Sequence, residues 1–293
     1  MTYEAKIILD SVGPNGARLT TFELQYPRIV HAELMTHRVF SRNSASSRAI
    51  PVEKLLGRIE SDPMLPVWWG KNQSGMQARK ELEGEALERA KQIWLEAVIS
   101  GVRYARELGE VGLHKQIANR TAELGMFITV VVTATEFDNF FALRDNGAAQ
   151  PELADVAGKA HRLWQANEPH PLKSGQWHLP YVTGYDGHDL HAEHGENTVC
   201  RISIGRCAAV SYLNQDKRDP PADLARADKL AAAGHMSPFE HVAQALTEDE
   251  WVLYATEMAA RWVDRRVPMG NLWGFRQYRK VIRNEHDFSK IGS

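Results

Sequence analysis

MTHRVFSRNSASSR, Met35 to Arg48, sets three arginines, four serines and an asparagine into fourteen positions directly behind an apolar run. Either this is a solvated polar loop or it is a site that holds an anion. His37 and Ser41 are four apart, so on a helix both face the same side. Arginine forks suit phosphate, and serine hydroxyls with exposed backbone amides add neutral donors. Neither GxxxxGK[ST] nor GxGxxG is present, which excludes the common ATPase and dinucleotide loops as the reading of this stretch.

Working outward, residues 4 to 10 and 19 to 25 read as strands, the second alternating as LTTFELQ. Pro27 suits the first turn of a helix through RIVHAELMTHRVF. From Gly75 to Gly109 the chain reads as one long amphipathic helix or two, with Leu82, Leu87, Ile93, Trp94, Val98 and Val102 near helical spacing. GMFITVVVTATEFDNFFALR reads as one buried helix, on length and despite its valines and threonines. TVCRISIGRCAAVSYL is expected as strand then helix. DLARADKLAAAG is expected as a helix stopped at Gly234, HMSPFEHVAQAL enters a strand, and YATEMAARWVDRR is a last helix. Nothing resembling a low-complexity linker divides the chain, so residues 1–293 are expected to form one domain.

Arg38, Asn43 and Arg48 follow R-x4-N-x4-R, and Arg266, Asn271 and Arg276 repeat that spacing behind a second apolar helix. The pattern suggests an internal pseudo-repeat, residues 18–50 and 246–280, with two helix-loop units facing one another around a pocket. A helical insertion at about residues 50–115 separates the first unit from the later part of the chain.

The formal charge of −2 argues against a long nucleic-acid partner, so an anionic ligand should be small and locally held. No stretch of about 18 apolar residues marks a membrane span, and a cytoplasmic protein is the expectation. Cys200 and Cys207, six apart, form neither a CxxC pair nor a disulfide framework and read as buried structural thiols. His188, His191 and His194 recur every third residue, yet the surrounding glycines suggest an open loop, and no metal is assigned. His235, Ser237, Glu240 and His241 in GHMSPFEH miss the HExxH zinc spacing.

Three clusters together resemble the flavin-dependent thymidylate synthases. The family pattern RHR-x2-S-x-N-x2-S-x-R is met at His37, Arg38, Ser41, Asn43, Ser46 and Arg48. Thr36 stands where the pattern has its first Arg, and Ser44 where an acidic residue is frequent. TATEFDNFFALRDNGAAQPE is similar to the family's N-x2-F-L-x-L-R-x5-AQ helix through Asn139, Leu143, Arg144 and Gln150, and GHMSPFEH to its H-x-[ST]-PFEH turn. In the common family order that turn precedes the arginine motif, whereas here it comes after it, as a permuted or partly duplicated chain would have it.

The resemblance implies an α/β (α+β) fold, a mixed or antiparallel sheet flanked by helices. It implies FAD, deoxyuridylate (dUMP), methylenetetrahydrofolate as one-carbon donor and NADPH as reductant, so the hard chemistry belongs to cofactors. Carried over by position, Ser46 and Arg48 would bind substrate phosphate with Arg120 in KQIANR as helper. Arg144 would sit at the pyrimidine and stabilise negative charge on a ring carbonyl oxygen. His37, Arg38, Ser41, Asn43, Asn139, Ser237 and Glu240 would contact flavin or order its pocket. A homotetramer with sites between subunits is implied. Two alternatives stand: the same one-carbon transfer ending in hydroxymethylation of a pyrimidine deoxynucleotide, and a non-catalytic nucleotide- or RNA-binding module.

Overall fold

The computed structural model describes residues 3–182, 189–213, 218–260 and 269–287. The two expected strands, β1 (Glu4–Val12) and β2 (Arg18–Pro27), pair as an antiparallel hairpin with a bulge between Ile7 and Leu9. Pro27 ends β2 rather than opening a long helix: a 3-10 turn, Arg28–Val30, leads to the single-turn helix α1 (His31–Leu34). β3 (Ser41–Ser44) lies at the sheet edge, with α2 (Val52–Ser61) after it.

The expected helix between 75 and 109 starts late, as α3 (Gly84–Glu110). Its buried Val98, Val102 and Ala105 pack on Leu55, Leu56 and Ile59 of α2. The one-turn helix α4 (Lys115–Ala118) and a 3-10 segment, Asn119–Gly125, lead back to the sheet.

The 125–144 stretch corrects the single-helix expectation. It divides into β4 (Phe127–Ala134) and α5 (Asp138–Arg144). β4 is interior, paired antiparallel with β2 on one side and β3 on the other, and both its faces are covered. A strand buried on both faces reads as an unbroken apolar run, and its β-branched residues fit the pleat better than a helix. Val130 and Val132 face a core with Phe22, Leu24, α5 and α6 (Pro151–Ala166), where Phe137, Phe140, Phe141, Leu153 and Val156 are buried. Val131 faces the other way, onto Tyr181, Cys207 and Val210. Each such buried side chain contributes roughly 1.5–3 kcal/mol.

β5 (His170–Pro171) joins β1 in parallel and completes the order β3-β4-β2-β1-β5. A second, antiparallel sheet has the order β6-β7-β8, from Trp177–His178, Ala243–Ala245 and Phe275–Gln277. Helices α7 (Leu190–Glu193) and α8 (Glu196–Ala209) come after β6. α8 replaces the expected strand-then-helix: it is buried nearly all round, and a helix so placed carries no amphipathic stripe to betray it. α9 (Pro220–Ala232) crosses it at Gly205, where an added Cβ would lie 2.1 Å from the Asp223 carbonyl oxygen. Gly234, at φ +70°, stands just past the end of α9 as expected. α10 (Glu248–Ala260) is the last α-helix among the described residues, and the remainder of its expected span, with Arg266, lies outside them. The architecture is α/β, with antiparallel and mixed sheets flanked by helices.

Candidate active site

β3 organises the motif. Ser41 and Asn43 point inward and are buried, while Arg42 and Ser44 alternate outward. Arg42 folds back, its Nη1 donating to the carbonyls of Met35 at 3.0 Å and His37 at 3.3 Å, which ties the turn ahead of the strand. Arg38 and Arg48 lie beyond opposite ends of β3, separated by the strand's own length of roughly 13 Å at about 3.3 Å per residue. Neither arginine has a hydrogen-bond or ion-pair partner among the described residues.

At the leading end, Arg144 Nε donates to His37 Nε2 at 3.1 Å. Its Nη1 donates to Glu33 Oε2 at 2.9 Å, and Nη2 reaches the Glu33 carbonyl at 3.3 Å and Thr36 Oγ1 at 3.2 Å. His37 is 6% exposed, stacked on Phe40 and edge-on to Phe140. Burial, then Arg144 and Arg42, push its pKa down to about 4, so the ring is neutral at pH 7 with Nδ1 carrying the proton. His37 and Arg38 line an open groove of about 380 Å³ with Asn139, Glu136 and Asp138.

At the trailing end, Ser46 and Arg48 line a cleft of about 490 Å³ with Asn43, Ser211, Ser237 and His235. His114 and Gln116 complete it from α4 and the residue ahead of it. Among the described residues that line this cleft there is no carboxylate. Arg120 is directed elsewhere, its Nη1 donating to Glu123 Oε1 at 2.7 Å.

Between the two ends lies a closed polar interior. Gln277 Nε2 donates to Ser41 Oγ at 2.9 Å and to Asn271 Oδ1 at 2.6 Å. Asn271 Nδ2 donates to the Val39 carbonyl at 2.8 Å, so the second R-x4-N-x4-R segment meets the first. Glu240 accepts from Arg279 Nη1 at 2.5 Å, and Arg276 is paired with Glu250. Asn43 Nδ2 donates to the Cys207 carbonyl at 2.7 Å, while its Oδ1 accepts from Ser211 Oγ at 3.2 Å.

The expected residues therefore fall into three groups: His37, Arg38, Asn139 and Arg144 at one end, Ser46, Arg48, Asn43 and Ser237 at the other, and Ser41 with Glu240 between. Sequence reading missed Glu33 and Thr36 as partners of Arg144. The i−4 spacing of Glu33 from His37 is the one signal that pointed there. It also missed His114 and Gln116, whose place beside Arg48 depends on a fold no local pattern reveals.

Cys200 and Cys207 are buried and unpaired in any disulfide, and burial pushes the Cys200 thiol up to about 12 and Cys207 higher still. His188 lies outside the described residues. His191 lines a separate cavity with His170 and Glu196, and no cluster able to hold a metal occurs among the described residues. No described helix is long and apolar enough to cross a membrane.

No match is found among curated proteins. Among solved structures, the UMP/dUMP methylase PolB from Streptomyces cacaoi bound with 5-bromo-dUMP is 17% identical with a TM-score of 0.42, covering 50% of this chain and 66% of the methylase. The same methylase bound with 5-bromo-UMP is 14% identical with a TM-score of 0.44, covering 56% and 88%. Residues 18–170, which carry the arginine motif, α4 and α5, match the family model of the thymidylate synthase complementing protein. That match spans more than half of the sequence, and the chain belongs to this family, the flavin-dependent thymidylate synthases.

Proposed function

We propose that the chain is a cytoplasmic enzyme that methylates dUMP to thymidylate, using FAD, methylenetetrahydrofolate and NADPH. The observation that carries this reading is the cleft at Arg48: an uncommitted guanidinium, the Ser46 hydroxyl and further neutral donors, with no carboxylate among the described residues that line it. A phosphate monoester takes such a donor set, and a carboxylate in the wall would oppose it.

FAD fits the residues at the other end of β3. Arg38 is exposed and without an ion-pair partner among the described residues, Asn139 is exposed beside it, and Phe40 and Phe140 give the groove an apolar wall, while Glu136 and Asp138 in the same lining suit the uncharged ring system of the flavin rather than its diphosphate. Ser41 and Glu240, hydrogen-bonded between the two ends, would order the flavin pocket, whereas Asn43 and Ser237 line the Arg48 cleft and would order the phosphate site instead. When bound, the flavin supplies the two-electron chemistry. The protein's part is position and charge. Arg144 would stabilise negative charge on a ring carbonyl oxygen, and Ser46 and Arg48 would hold the phosphate. No thiol nucleophile is required, in keeping with two buried, raised-pKa cysteines.

Sites shared between subunits of a homotetramer belong to this reading through the resemblance to the family alone. The test is direct: purify the chain, add FAD, record the flavin absorbance, then supply dUMP, methylenetetrahydrofolate and NADPH and weigh the nucleotide product. Thymidylate is expected. A hydroxymethyl product, or no flavin uptake, overturns the reading.

A further inference from the structure

The anion cleft is built partly from a segment outside the arginine motif. His114, at the start of α4, accepts the Gln116 backbone N–H on Nδ1 at 3.3 Å. With Nδ1 acting as acceptor, the neutral ring carries its proton on Nε2, which leaves a donor for the cleft that His114 lines. Gln116 lines the same cleft, is exposed, and has no side-chain hydrogen bond among the described residues.

These two side chains are held beside Arg48 by a buried stitch. Asn119 is fully buried, and its Nδ2 donates to the carbonyls of Ser47 at 2.7 Å and Ile50 at 3.1 Å, on either side of Arg48. Lys115 Nζ donates to the Ala49 carbonyl at 3.0 Å, and Ser47 Oγ donates to Glu123 Oε1 at 2.9 Å. Four hydrogen bonds thus join the Ser47–Ile50 turn to the 115–123 segment, so the turn and that segment move as one piece. The segment's own arginine, Arg120, is committed to Glu123, and His114 and Gln116 stand where it does not reach.

We propose that His114 Nε2 and the Gln116 amide are additional donors to the phosphoryl group of the nucleotide, with Asn119 the residue that positions them against Arg48. The inference rests on the nucleotide reading for the identity of the ligand, not for its phosphate. A hydrogen bond to a charged oxygen is strong enough that losing one should weaken binding about tenfold.

The experiment measures, by calorimetry, binding of dUMP, deoxyuridine and inorganic phosphate to the full chain and to H114A and Q116A, both substitutions at exposed positions. Expected is an about tenfold loss for dUMP and phosphate in each variant, with deoxyuridine unchanged. Wild-type affinity for dUMP and phosphate in both variants, or an equal loss for deoxyuridine, overturns the assignment. If the unmodified chain binds phosphate but not dUMP, and H114A weakens phosphate, the assignment stands and the dUMP reading falls. If it binds neither, both fall.

Discussion

Arg144 Nη1 and Glu33 Oε2 meet at 2.9 Å, while the same guanidinium also reaches His37 and Thr36. Every edge of the Arg144 fork is thereby engaged, and its charge faces a carboxylate rather than an open pocket. A pyrimidine that uses Arg144 must share it with Glu33. Replacing Glu33 by Gln keeps a hydrogen-bonding side chain and removes the competing charge, so dUMP affinity should rise several-fold, most at low ionic strength. Unchanged or weaker binding in titrations of E33Q would show that Glu33 acts as a support instead.

Arg144 itself is expected to matter for turnover far more than for folding. It stands at the end of α5 and the Glu33 it would leave is partly exposed, but the buried His37 Nε2 loses its donor, so the stability cost of R144A should be about 1–3 kcal/mol. Loss of a preorganised positive group at a developing oxyanion costs about 10²–10³ in kcat. Lysine, a compact ammonium without the planar fork, should not restore the rate. Steady-state kinetics of R144A and R144K decide this, and an R144K enzyme near wild-type rate would defeat the role.

Arg206 and Asp223 carry a stability prediction. Both are fully buried, Arg206 Nε donating to Asp223 Oδ2 at 3.1 Å and Nη1 to the Tyr181 carbonyl at 2.7 Å, while Arg226 takes the other carboxylate oxygen at 2.6 Å. Removing one member leaves a buried charge without its counterpart, which costs about 3–5 kcal/mol. D223A should reduce the unfolding free energy by that amount in denaturant titrations, and R206A by less, because Arg226 stays on the Asp223 carboxylate. The double change to apolar residues of similar size should cost less than either, and equal losses in all three would contradict the pairing argument.

How much of this was legible in the sequence depends on how local its cause was. Strands β1 and β2, the stop at Gly234 and the buried cysteines arise from alternation, a positive-φ glycine and thiol chemistry, and they appear as expected. Residues 127–134 escape a periodicity reading because a run covered on both faces has no period to detect, and the strands that pair with it come from residues far away in sequence. α8 escapes it for the same reason. At the site, Ser46 and Arg48 are visible as a motif, whereas His114 and Gln116 reach them only through the Asn119 stitch. Arg144 is legible, but its saturation by Glu33, Thr36 and His37 is not, since it depends on how α1 and α5 meet.

Acid sensitivity should come from two histidines that join the sheets. His178 Nδ1 meets Ser11 Oγ and its Nε2 meets Thr21 Oγ1, each at 2.8 Å. Thr21 Oγ1 meets Thr133 Oγ1 at 2.7 Å, and Thr133 meets His241 Nδ1 at 2.8 Å. Both rings are fully buried, and burial pushes each pKa down to about 3, with the neighbouring imidazole adding to the effect at His178. Neutral imidazoles suit hydroxyl partners, which donate or accept as needed, and neither ring has a carboxylate to stabilise a proton. Between about pH 6.5 and about pH 3 the unfolded chain binds protons at these positions and the folded chain does not. Their contribution is therefore intact above about pH 6.5 and is lost as pH falls, by about 1.4 kcal/mol per pH unit for each histidine. Urea denaturation of the wild type at about pH 7, 6 and 5 should show this decline. H241N keeps a polar group near Thr133 but cannot titrate, so its stability should fall about 1.4 kcal/mol per pH unit less steeply. Parallel wild-type and H241N profiles would mean that His241 is protonated in the folded protein and that the neutral chain through Thr133 is wrong.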